Sequence, residues 1–186
     1  MYFELVSVGG LLPFDHAKRF KKRGRIMIVH PFCPFLPENG WNKLILGSFP
    51  SVLSRENGFY YGNARNRFWA LLAGLYGEPT PVEILEKEQF LRRHGIALWD
   101  VIGSCEIIGS SDASLKNVLP NDPEKLCGIE NIGAVFLNGA AAAKYYNRYW
   151  KAALSVPAFA LPSTSPANAR FTLAKLEEVW KVLLKY

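Results

Sequence analysis

Short apolar runs alternate with longer amphipathic stretches along the chain from residue 43 onward. The runs at residues 43–47, 96–102, 134–137 and 158–161 have the length of buried strands, and turn-forming residues follow each of them. Apolar residues recur at helical spacing over residues 68–75, 82–93, 140–150 and 171–184, with a shorter helical turn at 123–127. Because strands and helices alternate, we predict an α/β fold: a three-layer α/β/α sandwich around a central, mostly parallel sheet of about four strands.

The loops that follow the predicted strands are the expected place for a ligand, since parallel sheets bind ligands beyond the carboxyl ends of their strands. These loops span residues 47–65, 100–122, 138–139 and 161–168. They are rich in Asn, Ser and aromatic side chains and poor in charged ones. Carboxamides read base edges, aromatic rings stack on bases, and hydroxyl and backbone N–H groups bind phosphates. The loops therefore favour a nucleic-acid ligand.

Several enzyme classes of this architecture are disfavoured. Residues 47–51 supply neither the GxxxxGK[ST] phosphate loop nor the GxGxxG dinucleotide signature. The three histidines, His16, His30 and His94, are predicted to lie away from strand carboxyl ends, which argues against a Ser-His-Asp hydrolase. Candidate catalytic carboxylates in the loops are limited to Asp100, Glu106, Asp112 and Asp122.

Composition adds limits on class and setting. A length of 186 residues predicts one main domain, and no apolar run approaches the roughly 18 residues that a membrane span needs. The three cysteines show no metal-ligand spacing, which favours a reducing, cytoplasmic setting. Lys and Arg exceed Asp and Glu by six, but four of that excess lies in residues 1–26.

Residues 1–26 lack a clear period, and their basic run can be written in purine codons. Our hypothesis is therefore that residues 1–26 are an extension from a mis-assigned start before Met27, and that residues 27–186 form the single domain. A genuine basic arm is the alternative.

Three ordered segments carry a resemblance to a known family: GSFPS at residues 47–51, FYYGNARNRFW at 59–69 and LPSTSPAN at 161–168. Together they resemble the uracil-DNA glycosylase superfamily, and within it the hypoxanthine-DNA (deoxyinosine) glycosylase branch most closely. Residues 47–69 also align without a gap to the motif of the mismatch-specific uracil/thymine glycosylases. Shorter matches at 30–32, 111–114, 119–122 and 138–139 extend the resemblance over about residues 30–186.

The resemblance implies a monofunctional DNA glycosylase of base excision repair. Such an enzyme flips a deaminated base, here most closely hypoxanthine, out of the duplex and hydrolyses its N-glycosidic bond with water as the nucleophile. It implies DNA containing a deaminated or mispaired base as the partner, a monomeric enzyme, and no metal or cofactor. No lysine lies in the motifs, so lyase activity is not expected.

The same resemblance implies roles for individual residues. Asn66 is the implied catalytic residue, Tyr61 the stacking aromatic and Asn138 the reader of the flipped base. Substrate-binding residues are Gly47, Ser48, Phe49, Tyr61 and Asn138. Implied DNA contacts are Pro50, Ser51, Ser54, Arg65, Ser163, Thr164, Ser165, Pro166 and Asn168.

Four departures from the family pattern bear on the function. Phe49 replaces the catalytic asparagine of mismatch-specific relatives, Ser51 replaces a glycine and Ala64 replaces a proline, and these three keep a non-catalytic function open. LPSTSP lacks the histidine of uracil-specific relatives, which disfavours strong, pure uracil specificity. A uracil or G:T/U mismatch glycosylase and a non-catalytic nucleic-acid-binding protein are the alternatives.

Each site residue also has a purely structural alternative. Asn66 could cap a helix, Asn138 could be a turn residue, and residues 163–166 could begin the last helix. Arg65 and Arg67 could be solvated charges.

Overall fold

The computed structural model describes residues 19–22 and 25–186, and side chains from Met27 onward. The strands in this part of the chain are β1 (Arg19–Lys22), β2 (Arg25–Val29), β3 (Lys43–Gly47), β4 (Ile96–Asp100), β5 (Ile102–Glu106), β6 (Lys116–Pro120), β7 (Ala134–Asn138) and β8 (Ala158–Leu161). The α-helices are α1 (Val52–Asn57), α2 (Phe68–Tyr76), α3 (Ile84–Arg93), α4 (Ala140–Tyr149) and α5 (Leu173–Trp180). Short 3₁₀ turns follow at Asp112–Ser114, Pro123–Lys125, Ile129–Asn131 and Lys181–Lys185.

A parallel sheet of four strands, in the order β4-β3-β7-β8, forms the centre of the protein. Every residue of β3, β4 and β7 is buried, which explains why these strands appear in the sequence as continuous apolar runs. Gly47 pairs with Asp100, and Asn138 pairs with Leu161, so the carboxyl ends of all four strands lie at one edge. The α/β fold and the parallel sheet predicted from the sequence are confirmed.

The order of the strands creates a crevice at that edge. From β3 the chain crosses to β4 on one side, and it later returns to β7 on the other side of β3. Loops that leave neighbouring strands in opposite directions leave an opening between them, and ligands bind in such openings. The opening lies beyond Gly47 and Asn138.

A second sheet, which is antiparallel and has the order β1-β2-β5-β6, was not predicted. The single strand predicted at residues 96–102 is wrong, because β4 ends at Asp100 and β5 starts at Ile102 in the other sheet. The polar stretch 104–122 was predicted to be loop, yet it includes β6, whose residues are mostly exposed and so show no apolar pattern. Strand β1 lies at the edge of its sheet, and an edge strand needs no alternation of apolar and polar residues. For this reason the pattern of residues 1–26 did not predict it.

The helices cover the parallel sheet. Helix α4 packs against β3, β7 and β8, α3 packs against β4, and α2 pairs with α5 through an edge-on contact of Phe68 with Trp180 at 6.4 Å. Phe68 and Trp69 are buried, as core packing at helical spacing predicts. Helix α1 was missed because its six residues, VLSREN, carry little periodic signal.

The longest α-helices in the described part of the chain, α3 and α4, have ten residues each. None of the described helices is long and apolar enough to cross a membrane. The proposal that the domain begins at Met27 stays a prediction, since residues 1–18, 23 and 24 lie outside the described residues.

Candidate active site

A cavity of about 250 Å³ opens at the carboxyl edge of the parallel sheet. This volume is just below the roughly 300–1,000 Å³ range of small-molecule pockets, so the cavity suits a single ring system. The predicted site residues that line it are Gly47, Ser48, Phe49, Pro50, Ser51, Ser54, Tyr61, Asn66, Asn138, Ser163, Thr164, Ser165 and Pro166. Arg65 and Asn168 do not line it. Segments predicted separately from three parts of the sequence thus meet at one place.

Asn66 lies on the wall of the cavity just before α2. Its Oδ1 accepts a hydrogen bond from the backbone N–H of Phe68 at 3.0 Å. The helix-capping interpretation is wrong in its residue, because the N-cap of α2 is Arg67, but the Asn66 oxygen does brace the start of the helix. Because a backbone N–H can only donate, this bond also fixes which end of the carboxamide is oxygen. The Nδ2 group is left as the donor that Asn66 can offer to a bound molecule.

Tyr61 is held in an uncommon backbone conformation, with a φ of 53°. Its ring stacks on Phe68 with 3.7 Å between centroids, so one face of the ring is closed to a base. Its hydroxyl is buried beside the Asn138 side chain, which interacts with the phenol oxygen. Burial, with the nearby charge of Asp100, raises the pKa of Tyr61, and the Asn138 side chain opposes this in part, so the hydroxyl keeps its proton.

Asn138 ends β7 and binds the loop that follows β8. Its Nδ2 donates to Thr164 Oγ1 at 2.9 Å, and its Oδ1 accepts from Thr164 N–H at 3.0 Å. The next residue, Gly139, has a φ of 99°, and a Cβ there would lie 2.9 Å from the Cβ of Ser163. Asn138 is therefore more than a turn residue: it joins two walls of the cavity, and its side chain also interacts with the Tyr61 hydroxyl.

Asp100, at the end of β4, lies at the floor of the cavity and is 4% exposed. Its Oδ2 accepts a hydrogen bond from His30 Nε2 at 2.8 Å. The prediction that His30 lies away from strand ends is wrong, because His30 directly follows β2. The apolar run IMIV at residues 26–29 is the signal that could have located β2 and brought His30 to the site.

A second carboxylate, that of Asp112, faces the cavity from the 3₁₀ turn after β5. It accepts a hydrogen bond from Ser48 Oγ at 2.7 Å. Burial of the carboxylate by its surroundings raises its pKa, the charge of Asp100 adds to this, and the Ser48 hydroxyl opposes it. The residue as a whole nevertheless keeps an exposed surface.

The serines predicted to hold phosphates are partly used inside the protein. Ser51 caps α1, because its hydroxyl accepts a hydrogen bond from the backbone N–H of Ser54 at 3.1 Å. Relatives have a glycine at this position, but the φ of Ser51 is −62°, a conformation that does not require glycine. Ser54 is 3% exposed, and its hydroxyl accepts from Gly62 N–H. The buried side chains of Ser54 and Thr164 brace the loops, which leaves Ser51, Ser163 and Ser165 as the more accessible predicted DNA contacts.

Arg67 fastens the loop after β8 to the start of α2. Its guanidinium donates to the backbone oxygens of Thr164, Ser165, Asn168 and Phe171. The interpretation of Arg67 as a solvated charge is therefore wrong, whereas Arg65 is exposed. The idea that residues 163–166 begin the last helix is also wrong, because Thr172 caps α5.

Metal ligands are not gathered in this part of the molecule: the described residues include no group of three or more His, Cys, Asp or Glu side chains placed to hold an ion. The chemistry available to the cavity is that of carboxamides, hydroxyls, two carboxylates and aromatic rings.

Comparison with known proteins agrees with this architecture. The family model of the uracil DNA glycosylase superfamily matches residues 34–184. A protein of Methanosarcina acetivorans described as a hypoxanthine DNA glycosylase is 32% identical over 162 residues, which cover 86% of this chain and 100% of that protein. A protein of Methanosarcina barkeri with the same description is 33% identical over 116 residues, covering 61% of this chain and 73% of that protein.

A solved structure supports the same assignment. The solution NMR structure of a Methanosarcina acetivorans protein described as a uracil DNA glycosylase has a TM-score of 0.67 and 31% sequence identity, and the match covers 82% of this chain and 96% of that one. With its parallel sheet, its cavity at the carboxyl edge and its match over most of its length, this chain belongs to the uracil DNA glycosylase superfamily.

Proposed function

We propose that this chain is a monofunctional DNA glycosylase that removes hypoxanthine from deoxyinosine in DNA, acting as a monomer in cytoplasmic base excision repair. The observation that carries the proposal is the cavity, which is sized for one ring system and lined by Asn66, Tyr61 and Asn138. The descriptions of the two Methanosarcina relatives support hypoxanthine as the base.

The reaction replaces the bond from C1′ of the deoxyribose to N9 of the base. The electron pair of that bond leaves with the base, the oxygen of a water molecule bonds to C1′, and a proton lost from the water is balanced by one gained by the base. The products are an abasic site and free hypoxanthine. A nucleotide must be flipped out of the duplex before its base can enter such a cavity.

Asn66 acts as a hydrogen-bond donor in this proposal. Since its Oδ1 is bound to Phe68 N–H, its Nδ2 is the group that can stabilise the negative charge developing on the departing base. A neutral carboxamide is not a strong base, so water is oriented rather than deprotonated in advance. A modest rate enhancement and a preference for a labile leaving group follow.

The test uses duplex oligonucleotides that each contain one deoxyinosine, deoxyuridine, deoxyxanthosine or mispaired thymidine, treated with alkali after incubation to cleave abasic sites. We expect cleavage at deoxyinosine by the native chain and a loss of at least about 100-fold in Asn66→Ala. Asn131→Ala is the matched control, because Asn131 is exposed and does not line the cavity.

Other results would reassign the function. Cleavage at deoxyuridine or mispaired thymidine alone would replace hypoxanthine by that base. Binding of the duplexes with no cleavage would make the chain a non-catalytic nucleic-acid-binding protein. Trapping of a DNA adduct with borohydride would show lyase chemistry and contradict the monofunctional assignment.

A further inference from the structure

The cavity has a carboxylate near its mouth to which the proposed reaction assigns no role. Among the described residues that line the cavity, the two charged side chains are Asp100 and Asp112. Asp100 is 4% exposed and binds the His30 ring through its Oδ2. Asp112 lies on the 3₁₀ turn after β5 and keeps an exposed surface, so its carboxylate is the one closer to the mouth.

The loop that carries Asp112 is held in place by side-chain hydroxyls. The hydroxyl of Ser114 accepts a hydrogen bond from the backbone N–H of Ile108 at 2.9 Å. The hydroxyl of Ser110 accepts from the backbone N–H of Val52 at 3.0 Å, which joins the loop to the start of α1. The position of Asp112 at the cavity is therefore fixed by its own loop and by a neighbouring helix.

Ser48 orients the carboxylate of Asp112. Its hydroxyl donates to Asp112 Oδ1 at 2.7 Å, and its carbonyl oxygen accepts from the backbone N–H of Ile102 at 3.1 Å, so β5 holds the donor in place. A carboxylate has about four acceptor positions, and this bond fills one of them. The others can accept a hydrogen bond from a water molecule in the cavity.

The ionised form of Asp112 lowers the stability of the fold. Burial raises the pKa of this carboxyl, and the charge of Asp100 adds to the rise. A neutral side chain would fill the same place without this cost. Carboxyl groups whose pKa is shifted by burial and by a neighbouring charge are concentrated at functional sites.

The place of Asp112 in the cavity decides which part of a flipped nucleotide it meets. The deoxyribose stays joined to the DNA backbone through both of its phosphates, so the base enters the cavity first and the sugar stays near the mouth. The carboxylate near the mouth is therefore the one that meets the sugar, whose C1′ atom is attacked by water.

We propose that Asp112, oriented by Ser48, is a second catalytic residue, whose carboxylate stabilises the positive charge that develops on the deoxyribose and accepts a proton from the attacking water. This inference rests on the proposed function and supplies the proton acceptor that Asn66 cannot provide. The amide of Asn66 is not a base, and its Oδ1 is already bound to the backbone N–H of Phe68.

The step is balanced in atoms and charge. As the bond from C1′ to N9 breaks, its electron pair leaves with the base, and the oxygen of the water molecule bonds to C1′. One proton of the water passes to the carboxylate of Asp112, while the base takes up a proton from solvent. Asp112 then returns its proton to solvent, so the carboxylate is ionised again before the next turnover.

The test is single-turnover excision of one deoxyinosine from a duplex, measured between about pH 5 and pH 8. We expect the native rate to rise with pH to a plateau, because only the ionised carboxylate can accept a proton. Asp112→Asn should excise about 10²- to 10⁴-fold more slowly at the plateau and should lose the rise with pH. It should bind a duplex with a tetrahydrofuran abasic analogue within about threefold of the native constant, since the loss is in chemistry rather than binding.

Other titratable groups around Asp112 are accounted for in this design. They are Asp100 on β4, Cys105 on β5 and Tyr145 on α4, and the charge of Arg55 on α1 acts on Cys105. Burial raises the pKa of Cys105 to about 12 and that of Tyr145 above its ordinary value, so both stay neutral over this range. A rise with pH that came from Asp100 would persist in Asp112→Asn.

Asp122→Asn is the matched control. Asp122 caps an exposed 3₁₀ turn that an asparagine also caps, and it does not line the cavity. This variant makes the same change of charge, and it should keep the native rate and the native dependence on pH.

The inference is overturned if the native rate does not rise with pH, which needs no variant and decides the matter even if Asp112→Asn fails to fold. It is also overturned if Asp112→Asn keeps the native rate or the native rise with pH, or if its loss comes from weaker binding of the duplex alone. Native excision with any of these results refutes only this inference. No excision by the native chain at any pH refutes the proposed function, and this inference with it.

Discussion

Replacing Gly47 by alanine tests whether the floor of the cavity is built as described. The new Cβ would lie 2.1 Å from Asp100 Oδ1, whereas real Cβ contacts essentially never fall below 3.0 Å. The carboxylate must therefore move by about 0.9 Å or more. It cannot do so freely, because Oδ2 is bound to His30 and Asp100 is paired in register with Gly47.

The magnitude follows from the bond that is disturbed. A hydrogen bond to a buried charged group contributes about 1.5–3 kcal/mol, and at about 2 kcal/mol the Tm of a domain of this size falls by about 4–8 °C. Because the displaced carboxylate also obstructs the base, we expect excision of deoxyinosine to fall by about 10- to 100-fold. Differential scanning calorimetry and single-turnover excision measure the two effects.

Gly74→Ala is the matched control for this change. Its new Cβ would also approach a carboxylate oxygen, Oε1 of Glu177 at 2.4 Å, but this is the far end of a flexible side chain. Alanine in the interior of α2 also adds helix propensity of up to about 1 kcal/mol. We expect an unchanged or higher Tm and native excision. Native Tm and native excision in Gly47→Ala would refute the described arrangement of Gly47, Asp100 and His30.

Three further results are expected. Asp112→Asn should raise the Tm at neutral pH and lose this advantage as the pH falls towards 4, because a carboxyl whose pKa is raised by folding lowers stability where it is ionised. A Tm advantage that persists in acid would contradict the raised pKa. Arg67→Lys should lower the free energy of unfolding by about 1.5–3 kcal/mol, since a lysine cannot reach the four carbonyl oxygens together. A denaturant titration with the same midpoint as the native chain would contradict this anchoring role. Thiol titration of the native chain should modify the exposed Cys33 and Cys127 but not Cys105, because burial raises the pKa of the Cys105 thiol to about 12. Reaction of all three thiols at one rate would refute the burial of Cys105.

The parallel sheet could be predicted because burial on both faces leaves its strands as continuous apolar runs. Strands β3 and β8 have the predicted bounds, and β7 extends one residue further. The position of the cavity followed from the rule that the carboxyl ends of parallel strands share an edge. The antiparallel sheet could not be found in this way, because β6 is mostly exposed and β5 continues the chain directly from β4.

Single side chains show a similar division. Asn66, Tyr61 and Asn138 were singled out by motif, and all three line the cavity. The bond of Asn66 to Phe68 is local, but the bonds of Asn138 to Thr164 and of Arg67 to the loop after β8 were not predictable, because they join residues far apart in the sequence. His30 was missed for the same reason, since its contact with Asp100 spans 70 residues and two sheets.

The central claim is that this cavity releases an intact deaminated base from DNA. Mass spectrometry of the products from a duplex with one deoxyinosine tests it most directly. We predict free hypoxanthine and abasic sites in equal amounts, with no strand cleavage before alkali treatment. Failure to detect free hypoxanthine, or strand cleavage with the base still attached to its sugar, would contradict the account.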